Sequence, residues 1–473
     1  MNVISIYFSL LTIFAIFLFY ILNPRYRILL LAILSFAFIA TFSVSLLLYV
    51  LAFSTINYFI GLYLPVLRNR KFLFTCGIVF NIAQIIVLKY YSFTISPVLE
   101  LFGLDLIFAN ISRIIAPVGI SYFTLQAIGY LINIKMGWEK PEKNLLRLLL
   151  YFAYFPKFIS GPIERSNHFL PQINNIPEFR SEDVIIGLRI ALLGFFKKVV
   201  IANHLGVAVN SLYQSAESPG VLNILLVILI QPLYLYFDFS GYTDIAIGFS
   251  RTFGIKLLPN FNKPFLAENV TNFWKRFHIS LSSWFNDYVF MQLSFKLRRI
   301  KAHSTTIAVF VTWILFGIWH GAGWNFMVLG LVQALAVFYE FKTKKARAQL
   351  FSNLTTTRRV ILGRFFTFLF YGFSLTFFFA PDLMTSLHIL SGLADFSSLQ
   401  SNQATMLPLA FGLSFAVPYL IFEYLQNSKK QIISDITKLW NNYRILRITV
   451  YYITVLLIIS QLSGSTSFIY EMF

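Results

Sequence analysis

An all-α polytopic membrane bundle is the fold this sequence predicts, on three observations. Of its 473 residues, 58% are hydrophobic and only 12% charged, and the mean hydropathy is +0.71, far outside the range of soluble globular domains. Apolar runs of about 20 residues, the length needed to cross a hydrocarbon core, recur along the whole chain. The Lys and Arg residues behind the net charge of +19 are parcelled into short loops between those runs, the pattern of the positive-inside bias.

Candidate spans fall near 4–22, 29–67 (long enough for two), 72–91, 114–134, 145–163, 184–205 and 221–248, then near 276–293, 304–320, 324–340, 362–380, 407–425 and 445–462. Several are short or interrupted by Pro and Gly, which predicts roughly eleven to thirteen spans, some of them re-entrant. The first run, Ile4 to Leu22, has no basic stretch before it and no small-residue cleavage site after it, so it reads as a retained span. No internal repeat or large extramembrane domain is visible, so residues 1–473 are expected to form one transmembrane domain. Nucleic-acid binding is excluded because no basic-aromatic module is present to carry it. The single cysteine, Cys76, lies in an apolar run and excludes an internal disulfide.

Loop charges give the orientation. Arg25 and Arg27 follow the first span and Arg68, Arg70 and Lys71 the third, whereas Thr94 to Ser112 carries Glu100 and Asp105 without a basic residue until Arg113. That puts the N-terminus outside. Lys342, Lys344, Lys345, Arg347, Arg358, Arg359 and Arg364 then mark a cytoplasmic connection, Pro381 to Met406 holds Asp382 and Asp395 and no Lys or Arg, and Lys429, Lys430, Lys438, Arg444 and Arg447 mark the last cytoplasmic loop.

The run FGIWHGAGW at 316–324 places His320 deep in this frame. The basic cluster Lys296, Arg298, Arg299, Lys301 precedes the span and Lys342 ends the next, so the two form a hairpin. His320 follows Ser304 by 16 residues, about 24 Å of helix into a core about 30 Å thick. Ionisable groups at such depth face the bundle interior or a water-filled cavity. A neutral imidazole tying two helices together and a catalytic or pathway role both fit. The glycines at 321 and 323 allow the turn and a close backbone approach.

Upstream, NFNKPFLAENVTNFWKRFHISLSSWFNDYVF at 260–290 mixes charge, aromatics and hydroxyls more densely than the spans around it. Asn269 or Thr271 can cap a helix there, expected to run from Asn272 to Phe290 with Trp274, His278, Leu281 and Phe285 on one stripe. Such a helix could line a cavity or lie on the surface with Lys275 and Arg276 against lipid phosphates. Asp238 and Asp244 sit in an apolar run and need partners, Arg251 or Arg276 being the candidates. His168, His204, His303 and His388 are flanked by polar residues or lie near segment ends. No metal-ligand spacing, GxSxG, Walker loop or GxGxxG appears, so no metal is expected. Broken helices with buried His and Asp also suit a transporter or flippase.

Four stretches carry a resemblance: YFPKFISGPIERSNHFLPQI at 154–173, DFSGYTDIAIGFSRTFGIKLLPNFNKPF at 238–265, FWKRFHISLSSWFNDYVF at 273–290 and FGIWHGAGWNF at 316–326. With them the chain resembles the membrane-bound O-acyltransferase (MBOAT) family, in its bacterial alginate O-acetyltransferase-like branch. His320 matches the histidine of the family's WHG motif, and His278 the second histidine, in its FWRRWHISLS-type motif. The resemblance implies that His320 is the catalytic base and His278 functionally important. It also implies a bundle pierced by a tunnel, with the acyl donor entering from the cytoplasm and the acceptor hydroxyl from the other side.

Trp274, Asp238, Ser240, Asp287 and Trp319 are pocket candidates. The resemblance further implies an acyl-CoA donor, acetyl-CoA first, and no bound cofactor. It implies a bacterial inner-membrane location in the lipid bilayer, a cell-envelope polysaccharide acceptor, and a separate periplasmic partner of the SGNH-hydrolase-like class. After DYVF, however, MQLSFKLRR at 291–299 stands where alginate-type enzymes carry Pro-Leu-Gly-Gly-Asn-Arg. That stretch is closer to the D-alanyl-transfer branch, which takes its acyl group from a carrier protein and modifies teichoic acids. The extra C-terminal spans and the terminal FIYEMF are similar to the alginate-like branch.

Overall fold

The computed structural model describes residues 5–101, 118–159, 161–175, 178–214, 220–300, 302–395, 403–428 and 430–462. Of the residues named in the sequence analysis, Ile4, Asp105, Ser112, Arg113, Ser160, Lys301, Lys429 and the terminal run 468–473 lie outside that set. The described chain is helical and contains no strand. Eight of its helices are long and apolar enough to cross a membrane: Val44–Tyr63, Arg70–Leu88, Val221–Thr252, His303–His320, Trp324–Lys342, Thr356–Phe379, Met406–Ser428 and Arg444–Gln461. Tyr7–Ile21 and Leu383–Ala394 are apolar but shorter. The protein is a multi-pass membrane protein with the all-α architecture expected.

The chain divides into two compact units, Met1–Ala191 with Thr243–Pro259, and Leu192–Tyr242 with Asn260–Phe473. In the first, the predicted double span 29–67 is two helices, Pro24–Ala40 and Val44–Tyr63, broken at Ser43, whose hydroxyl accepts from Ser45 N at 3.1 Å and Leu46 N at 3.4 Å. The run 145–163 is not a span: its helix stops at Ala153, and Pro156, with no N–H to donate, follows at once.

The irregular stretch beyond Ala153 buries two charges, each with partners. Lys157, 1% exposed, donates to Gln126 Oε1 and, at 2.6 Å, to Tyr151 O. Glu164, also 1% exposed, accepts from Leu258 N at 2.5 Å and from His168 Nδ1 at 2.8 Å. Buried charges persist only when paired in this way. The 154–173 motif therefore knits the first unit together.

The second unit carries the functional candidates. A π-helical segment, Phe196–Ala202, presents Lys198 to Asp238 on the helix Val221–Thr252, and both side chains are fully buried. Arg251, one of the partners expected for Asp238 or Asp244, instead pairs with Asp183 at 2.6 Å in the first unit. Arg276 bonds Asn272 Oδ1 at 2.8 Å and Asn262 O at 3.3 Å.

The predicted hairpin is formed by Ala302–His320 and Trp324–Lys342. Glycines at its crossing points allow near backbone contact: a Cβ on Gly317 would collide with Phe326 O, and one on Gly330 with Trp313 O. Further along, Lys430–Asn442 is amphipathic, with Ile432, Ile436 and Leu439 among its residues, the composition of an interfacial helix.

Candidate active site

The continuous helix expected over 272–290 is broken, and the break builds the site. Asn269 caps a short helix, Val270–Trp274, through Asn272 N at 2.8 Å. Glu340 of the hairpin secures the same end, accepting from Val270 N at 2.5 Å, Thr271 N at 3.0 Å and Thr271 Oγ1 at 2.7 Å.

After Trp274 the chain leaves the helix because residues 260–262 compete for its backbone. Asn262 N donates to Arg276 O and Ile279 N to Asn260 O, both at 2.9 Å, around an isolated antiparallel bridge between Phe261 and Phe277. His278 is thereby held at φ 48, ψ 51, the left-handed region. A non-glycine residue there costs about 1–3 kcal/mol and persists only where its surroundings over-determine it. A second helix, Ile279–Phe285, starts directly after it.

Asn260 is the over-determining group. Its Oδ1 accepts from Ser280 N at 3.1 Å and Ser280 Oγ at 2.9 Å and lies 3.2 Å from His278 Nδ1. A backbone N–H can only donate, so that atom is the carbonyl oxygen, and Nδ1 must carry the hydrogen. The network thus assigns His278 the tautomer whose Nε2 is basic. Phe239 meets the imidazole edge-on at 4.6 Å between ring centroids.

His320 ends the first hairpin helix and is 5% exposed. Its ring is flanked by Phe316 at 4.8 Å, Trp319 at 5.0 Å and Phe378 at 5.5 Å. Gly321 follows because the space of a side chain there is taken by the Phe326 ring. Asn325 Nδ2 donates to Phe377 O at 3.1 Å and Ala380 O at 3.0 Å, anchoring the helix end that carries Phe378.

His278 and His320 line one cavity of about 20 Å³, together with Trp274, Phe316, Gln333 and Tyr371 among others. That is room for about one water. Trp274 and Phe316 also border a larger groove of about 500 Å³, whose walls include Thr271, Lys275, Ser282, Asn286 and Thr312. A third hollow, about 570 Å³, carries Lys344, Arg347 and Arg359 beside Glu268 and Glu340.

Of the sequence candidates, the structure brings Trp274, His278 and His320 to this cavity. Trp319 meets both imidazoles edge-on, 6.0 Å from His278 and 5.0 Å from His320 between ring centroids. The helix Val221–Thr252 faces the histidines with Leu235 and Phe239, one turn apart. Asp238 and Ser240 do not line the cavity; Asp238 is taken up by Lys198. Asp287 is exposed and accepts from Asn286 Nδ2 at 3.0 Å. The sequence did not single out Asn260 or Gln333, since an amide side chain shows nothing of its distant partners.

The model of the membrane-bound O-acyltransferase family matches residues 138–381, a stretch containing both histidines. The chain belongs to this family. It is 32% identical over 324 residues to the "Probable alginate O-acetylase AlgI" of Pseudomonas aeruginosa, covering 66% of this chain and 60% of that one. To the peptidoglycan O-acetyltransferase of Helicobacter pylori it is 30% identical over 415 residues, 80% of this chain and 76% of the relative. It is also 35% identical over 278 residues to the teichoic acid D-alanyltransferase of Bacillus subtilis, 55% of this chain and 69% of the relative. The match thus spans about 60% of the alginate relative's length.

Proposed function

We propose that this MBOAT protein transfers a short acyl group, acetyl in the first instance, from a cytoplasmic thioester to a hydroxyl destined for a cell-envelope polysaccharide, with His320 as general base. The observation that carries this reading is the shared cavity of His278 and His320 beside a groove large enough for an extended donor arm.

A hydroxyl is a weak nucleophile at neutral pH and needs a base within hydrogen-bond reach. His320 takes the hydroxyl proton as the oxygen attacks the thioester carbonyl. The C–S bond then breaks and the leaving thiolate recovers the proton from the imidazolium. His278 Nε2, fixed by the Asn260 network, is suited to orient the acceptor hydroxyl. The basic hollow at Lys344, Arg347 and Arg359 suits the phosphates of a coenzyme A or phosphopantetheine donor. The loop charges support an N-terminus outside a bacterial inner membrane, and a separate periplasmic SGNH-hydrolase-like partner would complete transfer to alginate-like polymer or peptidoglycan.

A second reading keeps the chemistry and changes the substrates. The MQLSFKLRR stretch and the likeness to a D-alanyltransferase favour D-alanyl transfer from a carrier protein. The experiment is to supply the purified protein, in liposomes, with acetyl-CoA or with a D-alanyl carrier protein and follow free thiol release. Acetyl-CoA-dependent thiol supports the first reading, and carrier-dependent thiol the second. Solute movement without any donor would overturn both in favour of a transporter.

A further inference from the structure

The histidine cavity and the outer groove are neighbours separated by aromatic rings. Trp274 and Phe316 are the residues common to both linings. Their rings meet edge-on at 4.9 Å between centroids, and Trp313 backs the indole at 5.1 Å. The indole is also latched. Its Nε1–H donates to Gln333 Oε1 at 3.0 Å, Gln333 Nε2 donates to Ser374 Oγ at 2.9 Å, and Ser374 Oγ donates to Tyr371 O at 2.8 Å. Each link has one permitted sense, because an indole can only donate and a backbone carbonyl can only accept. An amide thus holds the ring in one orientation.

Resting on the acyl-transfer reading above, we propose that Trp274 is a specificity-determining partition: it must turn aside for a thioester to reach His320, and the latch limits that movement so that short acyl groups pass and longer ones are excluded. The sizes on either side fit this role. An inner space of about 20 Å³ holds no acyl chain while the ring is in place, whereas the groove of about 500 Å³ accommodates an extended arm.

The test measures access rather than activity. In full-length protein carrying Cys76→Ser and Leu329→Cys, the new thiol is a lining residue of the inner cavity. Its rate of modification is followed by mass with N-ethylmaleimide and with the bulkier N-phenylmaleimide. Trp274→Ala and Gln333→Leu are each expected to speed modification roughly tenfold, since the first removes the ring and the second the buried hydrogen bond that keeps it in place. The gain should be larger for the bulkier reagent. Equal rates in parent and variants, whether all fast or all slow, would overturn the partition. In cells, base-released acyl groups from the envelope should then include butyrate beside acetate in the Trp274→Ala strain, and an unchanged acyl profile with an opened cavity would overturn size selection. Thiol rates do not depend on the base, so failure of the His320 assignment would show separately, as full acylation by His320→Ala.

Discussion

Asn260 Oδ1 lies 3.2 Å from His278 Nδ1 and also holds the backbone N–H and hydroxyl of Ser280, so one amide fixes the strained backbone, the ring orientation and the tautomer of a buried histidine. Asn260→Ala should therefore weaken acyl transfer by about a hundredfold, the scale of a misplaced reacting group. It should also lower unfolding stability by about 1–3 kcal/mol, since Ser280 N is left without this acceptor. Paired kinetic and thermal-denaturation measurements check this. A stability loss with normal turnover would make Asn260 a purely structural residue.

Lys198 and Asp238 form an ion pair with both side chains fully buried. Lys198→Ala removes the carboxylate's ion-pair partner in the interior and should cost about 3–5 kcal/mol, whereas exchanging both partners for apolar residues of similar size is often near neutral. Lys198→Met combined with Asp238→Leu should restore thermal stability in detergent and keep acyl transfer. If the double variant is stable but inactive, Asp238 takes part in the chemistry after all.

His168 offers a pH signature outside the spans. Its hydrogen bond to Glu164 holds the imidazole pKa above the ordinary value, against the opposing effect of partial burial. A group whose folded pKa is raised gives stability that is fully present below the unfolded value, near 6.5 for histidine, and lost as pH climbs through the folded one. Denaturation temperature should fall as pH rises from about 6.5, and His168→Gln should flatten that slope. An unchanged slope in the variant would assign the effect to another group.

The parts of this molecule that depend on local pattern were readable before any coordinates. Long apolar runs and interleaved charge gave the all-α membrane class, and the hairpin that turns just after His320 followed from its glycines and the basic clusters on either side. What the sequence hid are contacts between distant segments. The pairing of 260–262 with 276–278 overrides a strong helical pattern and makes His278 a left-handed junction rather than a position on a stripe. Lys198 reaches Asp238 from a π-helical segment 40 residues upstream, where the nearer arginines were expected. The run at 145–163 looked like a span by hydropathy alone, but Pro156 and the need to satisfy Lys157 and Glu164 end its helix early.

The central claim is that His320 removes the acceptor proton. It is tested most directly by replacing His320 with Ala, matching the amount of protein in the membrane to the parent, and measuring base-labile acetate on the envelope polysaccharide. The expected result is a loss of at least about a hundredfold, the lower bound for a positioned general base. Acetate at the parental level would contradict it.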